Sequence, residues 1–209
     1  FRSFLKAAQL IHAQQPDTRF AVAAFKPAHA QRIKEMIHGS NLPIEVYTGR
    51  TPELMSAAHS CLACSGSVSL ELLYHKKPTV ILYKIPKLTY TISSFLVKVP
   101  YITLVNLLVA DEVTPANPKA WNPDGPKADE PIFPEYPTYK DESARLAGHI
   151  VQWLQQPEKY DRLVGRLDQL KQVVAHGGAS NAAADYILQH MEAAPRTIVR
   201  PHFQPARAA

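Results

Sequence analysis

Residues 64 to 71, Cys-Ser-Gly-Ser-Val-Ser-Leu-Glu, combine the residue types that suit an anion site. Ser65-Gly66-Ser67 is a small polar turn between an apolar run, Cys61 to Cys64, and a helical pattern. The start of a helix offers backbone N–H groups and the positive end of the dipole, which favour phosphate. Gly66 would let a ligand approach the backbone closely. Glu71 lies about one turn into the helix, and helical side chains tilt back toward the N-terminus, so its carboxylate reaches the same mouth. A carboxylate accepts hydrogen bonds from two neighbouring hydroxyls, as on a ribose. The bland reading uses the same residues: small residues and an early acid are what any helix start prefers. The segment also lacks the P-loop lysine and the spaced glycines of a dinucleotide fingerprint. A ligand site and a plain strand-to-helix turn both remain open at this point.

A second set, His59, Cys61, Cys64 and His75, has the side chains of a zinc site. Strand residues three apart face opposite sides, so the two thiols diverge and read as small strand residues. Two cysteines in all exclude a disulfide scaffold and fit a reducing compartment.

The elements that would position these groups alternate along the chain. Phe4, Leu5, Ala8 and Ile11 mark a helix face, followed by an apolar run from Phe20 to Phe25. Residues 28–39 read as a helix stopped by Gly39, and residues 43–49 as a strand closed by Gly49. Thr51 as N-cap with Pro52 at the first helical position starts the next helix. Strand, helix and strand follow through Tyr83. Near-continuous apolar strands between amphipathic helices predict a Rossmann-like α/β fold, with a parallel sheet covered on both faces. In such sheets ligands sit beyond the carboxyl ends of the strands, where the Ser65–Ser67 turn falls.

Beyond Tyr83 a helix is expected over residues 87–99, and a strand or extended loop over 101–109. Residues 115–140 contain seven prolines and read as a long surface loop or insertion. Three further helices follow, so one domain is expected over 1–192. A basic, mobile tail is expected over 193–209. The 209 residues, 46% of them hydrophobic, suffice for one domain with a real core. The chain opens on Phe1, which reads as a fragment or processed product, and no signal-peptide pattern follows. The apolar stretch Tyr90 to Ala110 holds Lys98, Pro100 and Asn106, a poor membrane span. A net charge of +5 favours acidic partners, but no basic stripe with interleaved aromatics supports nucleic-acid binding.

The wider string from Tyr47 to Pro115 closely resembles the lipid-A-disaccharide synthases. The family's A-S-G-T-A-x-L-E segment corresponds to Cys64 to Glu71, and its Y-[RK] pair to Tyr83-Lys84. "PKLTY", "LVK" at 96–98 and "TLVNLLVA" at 103–110 follow in the family's order. Val105 stands where the family usually has Pro, and residues 115–131 look like an insertion. The resemblance implies the carboxyl-terminal, donor-binding half of a two-domain GT-B glycosyltransferase. The amino-terminal acceptor domain and the "LPGSR" segment would be absent from this chain.

By that resemblance Glu71 binds the ribose hydroxyls of UDP, and Ser65, Gly66 and Ser67 hold the diphosphate. The backbone of Val46, Tyr47 and Thr48, at the end of a neighbouring strand, reads the uracil edge. Lys84 either neutralises the departing UDP or is a solvated strand end. Asn106 either lies near the donor sugar or fixes a turn. The implied reaction moves diacylglucosamine from UDP-diacylglucosamine to diacylglucosamine 1-phosphate, making a β(1→6) disaccharide of lipid A. No catalytic base is identified here, since GT-B enzymes usually carry it on the amino-terminal domain. No cofactor or metal is expected, in keeping with the lack of a D-x-D sequence. Because the substrates carry acyl chains, the protein is expected in the cytoplasm at the inner-membrane surface, with a homodimer allowed. Residues 84–99 mix lysines with apolar side chains, as a lipid-seating helix or a core-facing helix with snorkelling lysines. Two alternatives stay open. One is another UDP-sugar GT-B enzyme, such as a peptidoglycan-precursor glycosyltransferase or a UDP-sugar epimerase. The other is a non-catalytic nucleotide- or membrane-binding module.

Overall fold

Helix α1 (Arg2–Gln14) forms because Ala7, Ala8 and Ile11 recur on one face, which is buried. The computed structural model describes residues 1–64, 66–96, 99–110, 120–174 and 178–193. The chain divides into two compact units, Phe1–Val174 and Ala175–Ala209. In the first unit α1 leads to β1 (Phe20–Ala24), α2 (Pro27–Ile37), β2 (Ile44–Thr48) and α3 (Thr51–Ala57). Next come β3 (Cys61–Cys64), α4 (Val68–Tyr74), β4 (Thr79–Lys84), α5 (Lys87–Leu96) and α6 (Leu104–Leu107). The unit closes with β5 (Glu135–Thr138), α7 (Ser143–Gln155) and α8 (Pro157–Val174). The second unit contributes one described helix, α9 (Ala179–Ala193).

All strand pairings are parallel, as the alternation of strands and helices predicts. The strands do not form one sheet, however. Among the described residues β1 pairs only with β2, and β3, β4 and β5 make a separate three-stranded sheet in that order. The expectation of cover on both faces holds for β4, whose Thr79 to Leu82 are all buried. It fails for β1 and β2, where burial alternates and Ala21, Ala23 and Glu45 are exposed. Helices α2 and α3 pack against this two-stranded sheet, and the alternating pattern is that of strands covered on one side.

The core lies around β4. Leu72 and Leu73 of α4, Val80 and Ile81 of β4, Phe133, Leu146 and Ile150 of α7, and Leu167 of α8 form one buried cluster. Ile11 of α1 and Met55 of α3 join it. Truncating a side chain such as Phe133, 0% exposed, costs about 3–5 kcal/mol through lost burial and the cavity left behind.

Three sequence expectations are corrected here. Residues 104–107 are a short helix and not a strand, because Thr103 O and Leu104 O accept helical bonds from Leu107 and Leu108. Helix α3 starts at Thr51 with Arg50 at the cap, so Pro52 falls within the first turn one residue later than expected. The Pro-rich stretch is not all loop: Glu135 to Thr138 is a strand, with Tyr83 paired to Pro137. β5 is an edge strand, where a residue without an N–H is tolerated. The expected tail, residues 194–209, lies outside the described residues.

Candidate functional site

Gly66, Ser67 and Glu71 gather where β3 gives way to α4. Gly66 has φ +147, a conformation open to glycine and strained for other residues. Its carbonyl is gripped twice, by the N–H of Ser69 at 3.1 Å and by Ser69 Oγ at 2.9 Å. Ser69 is buried and locks this turn, while Gly66 and Ser67 stay exposed. Glu71, in the first turn of α4, is also exposed. Leu72 and Leu73 beside it are buried. The helix thus turns its apolar side to the core and leaves the acid at the surface. Ser65, the first residue of the expected diphosphate turn, lies outside the described residues.

Lys84 ends β4 and is exposed, its Nζ donating to the carbonyl oxygen of Lys140 just past β5. β4 and β5 are parallel neighbours, so Lys84 and Lys140 stand at the same carboxyl end of the sheet as Cys64.

The other expected site residues are placed differently. Val46, Tyr47 and Thr48 end β2, which pairs with β1 and not with β3, so β2 is not a neighbouring strand of the α4 turn. Tyr47 Oη donates to Glu45, which also pairs with Arg19. The Tyr47 and Arg19 bonds hold the Glu45 carboxyl below its usual range, and the bond to Glu45 raises the Tyr47 hydroxyl. Asn106 is 0% exposed. Its Nδ2 donates to Phe133 O at 2.7 Å and to the Glu135 carboxylate at 3.1 Å, and its Oδ1 accepts the Phe133 N–H at 2.9 Å. That is turn-fixing geometry, the second of the two sequence readings, and it leaves the amide no open edge.

Glu135 escaped the sequence reading. It is 3% exposed and its carboxylate accepts the N–H groups of Ile102 at 2.6 Å and Thr103 at 2.9 Å as well as the Asn106 amide. A buried carboxylate held by several donors clamps the segment before α6 onto β5. The one signal available was an acid inside the apolar run from Ile132 to Tyr136. His149 was also unforeseen: its Nε2 is hydrogen-bonded to Tyr136 Oη at 2.8 Å. Burial pushes His149 down to about 4 and Tyr136 up to about 12. Both border a cleft of about 480 Å³ between α7 and residues 121–129.

The cysteines diverge as the strand geometry predicts. Cys64 is exposed, and Cys61 is drawn inward, where burial raises its thiol to about 11. His59 stacks on Tyr160 with ring centroids 4.1 Å apart. Among the described residues, no three His, Cys, Asp or Glu side chains converge.

Parallel strands in open sheets, flanked by helices, make this a Rossmann-like α/β protein with the layout of one GT-B half. The model of the lipid-A-disaccharide synthetase family matches residues 1–119, over half of the chain, and the chain belongs to that family. Three relatives are each named lipid-A-disaccharide synthase. One, from Pseudomonas putida, is 36% identical over 112 residues, 54% of this chain and 30% of the relative. Another, from Pseudomonas savastanoi, is 34% identical with the same coverage. A third, from Thiobacillus denitrificans, is 29% identical over 193 residues, 92% of this chain and 46% of the relative. The matched residues thus span less than half the length of each of these relatives.

Proposed function

We propose that this chain is the donor-nucleotide-binding part of a lipid A disaccharide synthase. The observation that carries the reading is the exposed Glu71 one turn beyond Gly66, at the carboxyl end of β3, within the stretch the family model matches. Glu71 accepts the two ribose hydroxyls of UDP, and Gly66 and Ser67 face the diphosphate. Lys84 adds positive charge at the same end of the sheet, where a departing UDP anion needs it. Val46, Tyr47 and Thr48 would meet the base only if a ligand spanned the two sheets. The donor is UDP-diacylglucosamine and the acceptor diacylglucosamine 1-phosphate, with the acceptor and the general base held by a second domain. The chain alone therefore binds donor nucleotide and yields no disaccharide, since it cannot hold both reactants together.

Titration calorimetry with UDP, with and without EDTA, tests the reading. Saturable binding that EDTA leaves unchanged is expected. Failure to bind, or strict dependence on Mg²⁺, overturns it.

A further inference from the structure

The cleft of about 480 Å³ between α7 and residues 121–129 has no part in the nucleotide reading. Every residue lining it lies beyond residue 119, where the match to the family model ends. One wall belongs to the Pro-rich stretch and is pinned from two sides. The Trp121 indole N–H donates to Lys127 O at 3.0 Å. Arg166 of α8 donates to the carbonyl oxygens of Glu130 at 2.6 Å and Asp129 at 3.3 Å. Helix α7 supplies the other wall through Arg145, Gly148, His149 and Gln152, whose spacing puts them on one face. Gly148 stands in mid-helix, where glycine is a poor helix former. A Cβ there would meet no atom of another element within 4 Å. The glycine thus leaves that face of α7 open.

The lining is aromatic and carries an unbalanced negative charge. Trp121 and Tyr136 meet at 69° with ring centroids 5.8 Å apart, so the two rings form a corner. Tyr136 Oη is tied to His149, and burial keeps that imidazole uncharged at neutral pH. Arg145 is engaged by Asp124 at 2.7 Å and by Glu142 at 3.3 Å. Asp129 is exposed and, among the described residues, forms no ion pair. The chain as a whole carries +5, so an acidic cleft runs against its average.

We propose that this cleft binds a free organic ammonium ion, a protonated or quaternary amine on a small body. The cationic head lies in the corner of Trp121 and Tyr136, since aromatic faces attract cations, and Asp129 supplies the counter-charge. The cavity has the size of a small-molecule site, with apolar walls and a few polar groups. An anion fits less well, because Asp124 and Asp129 would repel it. A neutral ring would leave the Asp129 charge unanswered. The inference stands on the cleft alone and does not need UDP to bind.

Titration calorimetry with three probes tests it: choline, neohexyl alcohol as its uncharged carbon isostere, and phosphocholine. Saturable binding of choline is expected, with both other probes weaker. W121L removes one aromatic face and should weaken choline by about 3–30-fold. D129N removes the exposed counter-charge and should weaken it by about two- to fivefold. G148L fills the open face and should abolish choline binding, while its melting temperature stays level or rises. Circular dichroism should be unchanged in all three variants. Absence of saturable choline binding, or equal binding of either other probe, overturns the proposal. So does choline binding that a folded G148L retains, or that is indifferent to W121L and D129N.

Discussion

A carboxylate at a helix start has two uses, holding a ligand or favouring the helix terminus, and substitution at position 71 separates them. The acid is exposed beside a glycine turn that Ser69 already holds. Removing it should therefore leave the fold alone. Glu71→Ala is expected to weaken UDP binding by roughly 1.5–3 kcal/mol, the loss of hydrogen bonds to a charged group. Thermal unfolding should not shift, and calorimetry alongside a melting curve checks both. A variant that binds UDP as the parent does, or that unfolds, makes Glu71 structural. That Gly66, Ser67 and Glu71 fall together at one helix start was legible in the sequence, because a turn and an acid one helical turn apart are local features. Asn106 was not, since whether an amide meets a ligand or the backbone of Phe133 depends on contacts 27 residues apart.

Among the elements, α6 and β5 are joined by side chains where no strand pairing links them. Glu135 accepts three donors at once. Glu135→Gln puts an amide NH₂ where one acceptor was and leaves a buried donor facing another. A loss of about 1–3 kcal/mol is expected in urea unfolding, the cost of an unsatisfied buried group. Helix α7 responds to pH through His149. Its pKa falls to about 4 in the fold, so below about 6.5 the unfolded chain binds more protons than the folded one. Stability is fully present above pH 6.5 and drains by roughly 1–3 kcal/mol as the pH falls to 4. Melting curves of the parent should show that slope, and His149→Gln, which cannot titrate, should flatten it. The alternation of strands and helices was readable because periodicities of 2 and 3.6 survive in short windows. β5 was hidden by Pro137, a residue that argues against strand until the strand is known to be an edge. α6 was hidden within residues 101–109, whose Ile102, Thr103, Val105 and Val109 suit an extended chain equally well.

At the scale of the molecule, hydropathy gave the strands but not their partners, so the division into two sheets was invisible in the sequence. Of the outermost strands, β2 carries Glu45 and β5 carries Pro137, residues that discourage further pairing. β1, Phe-Ala-Val-Ala-Ala, and β3, Cys-Leu-Ala-Cys, hold no charge and no proline. Among the described residues each has one partner strand, and a row of N–H and C=O groups lies on its other side. Their amides on those sides should exchange with deuterium quickly, while the doubly paired β4 stays protected. Exchange mass spectrometry reads both, and slow exchange at β1 and β3 would mean that the edges are covered. Unguarded edges also act as templates. Fast exchange at β1 and β3 would therefore go with a solubility ceiling set by the chain's own concentration, since at high enough occupancy the readiest strand to complete the ladder belongs to another molecule of the same kind.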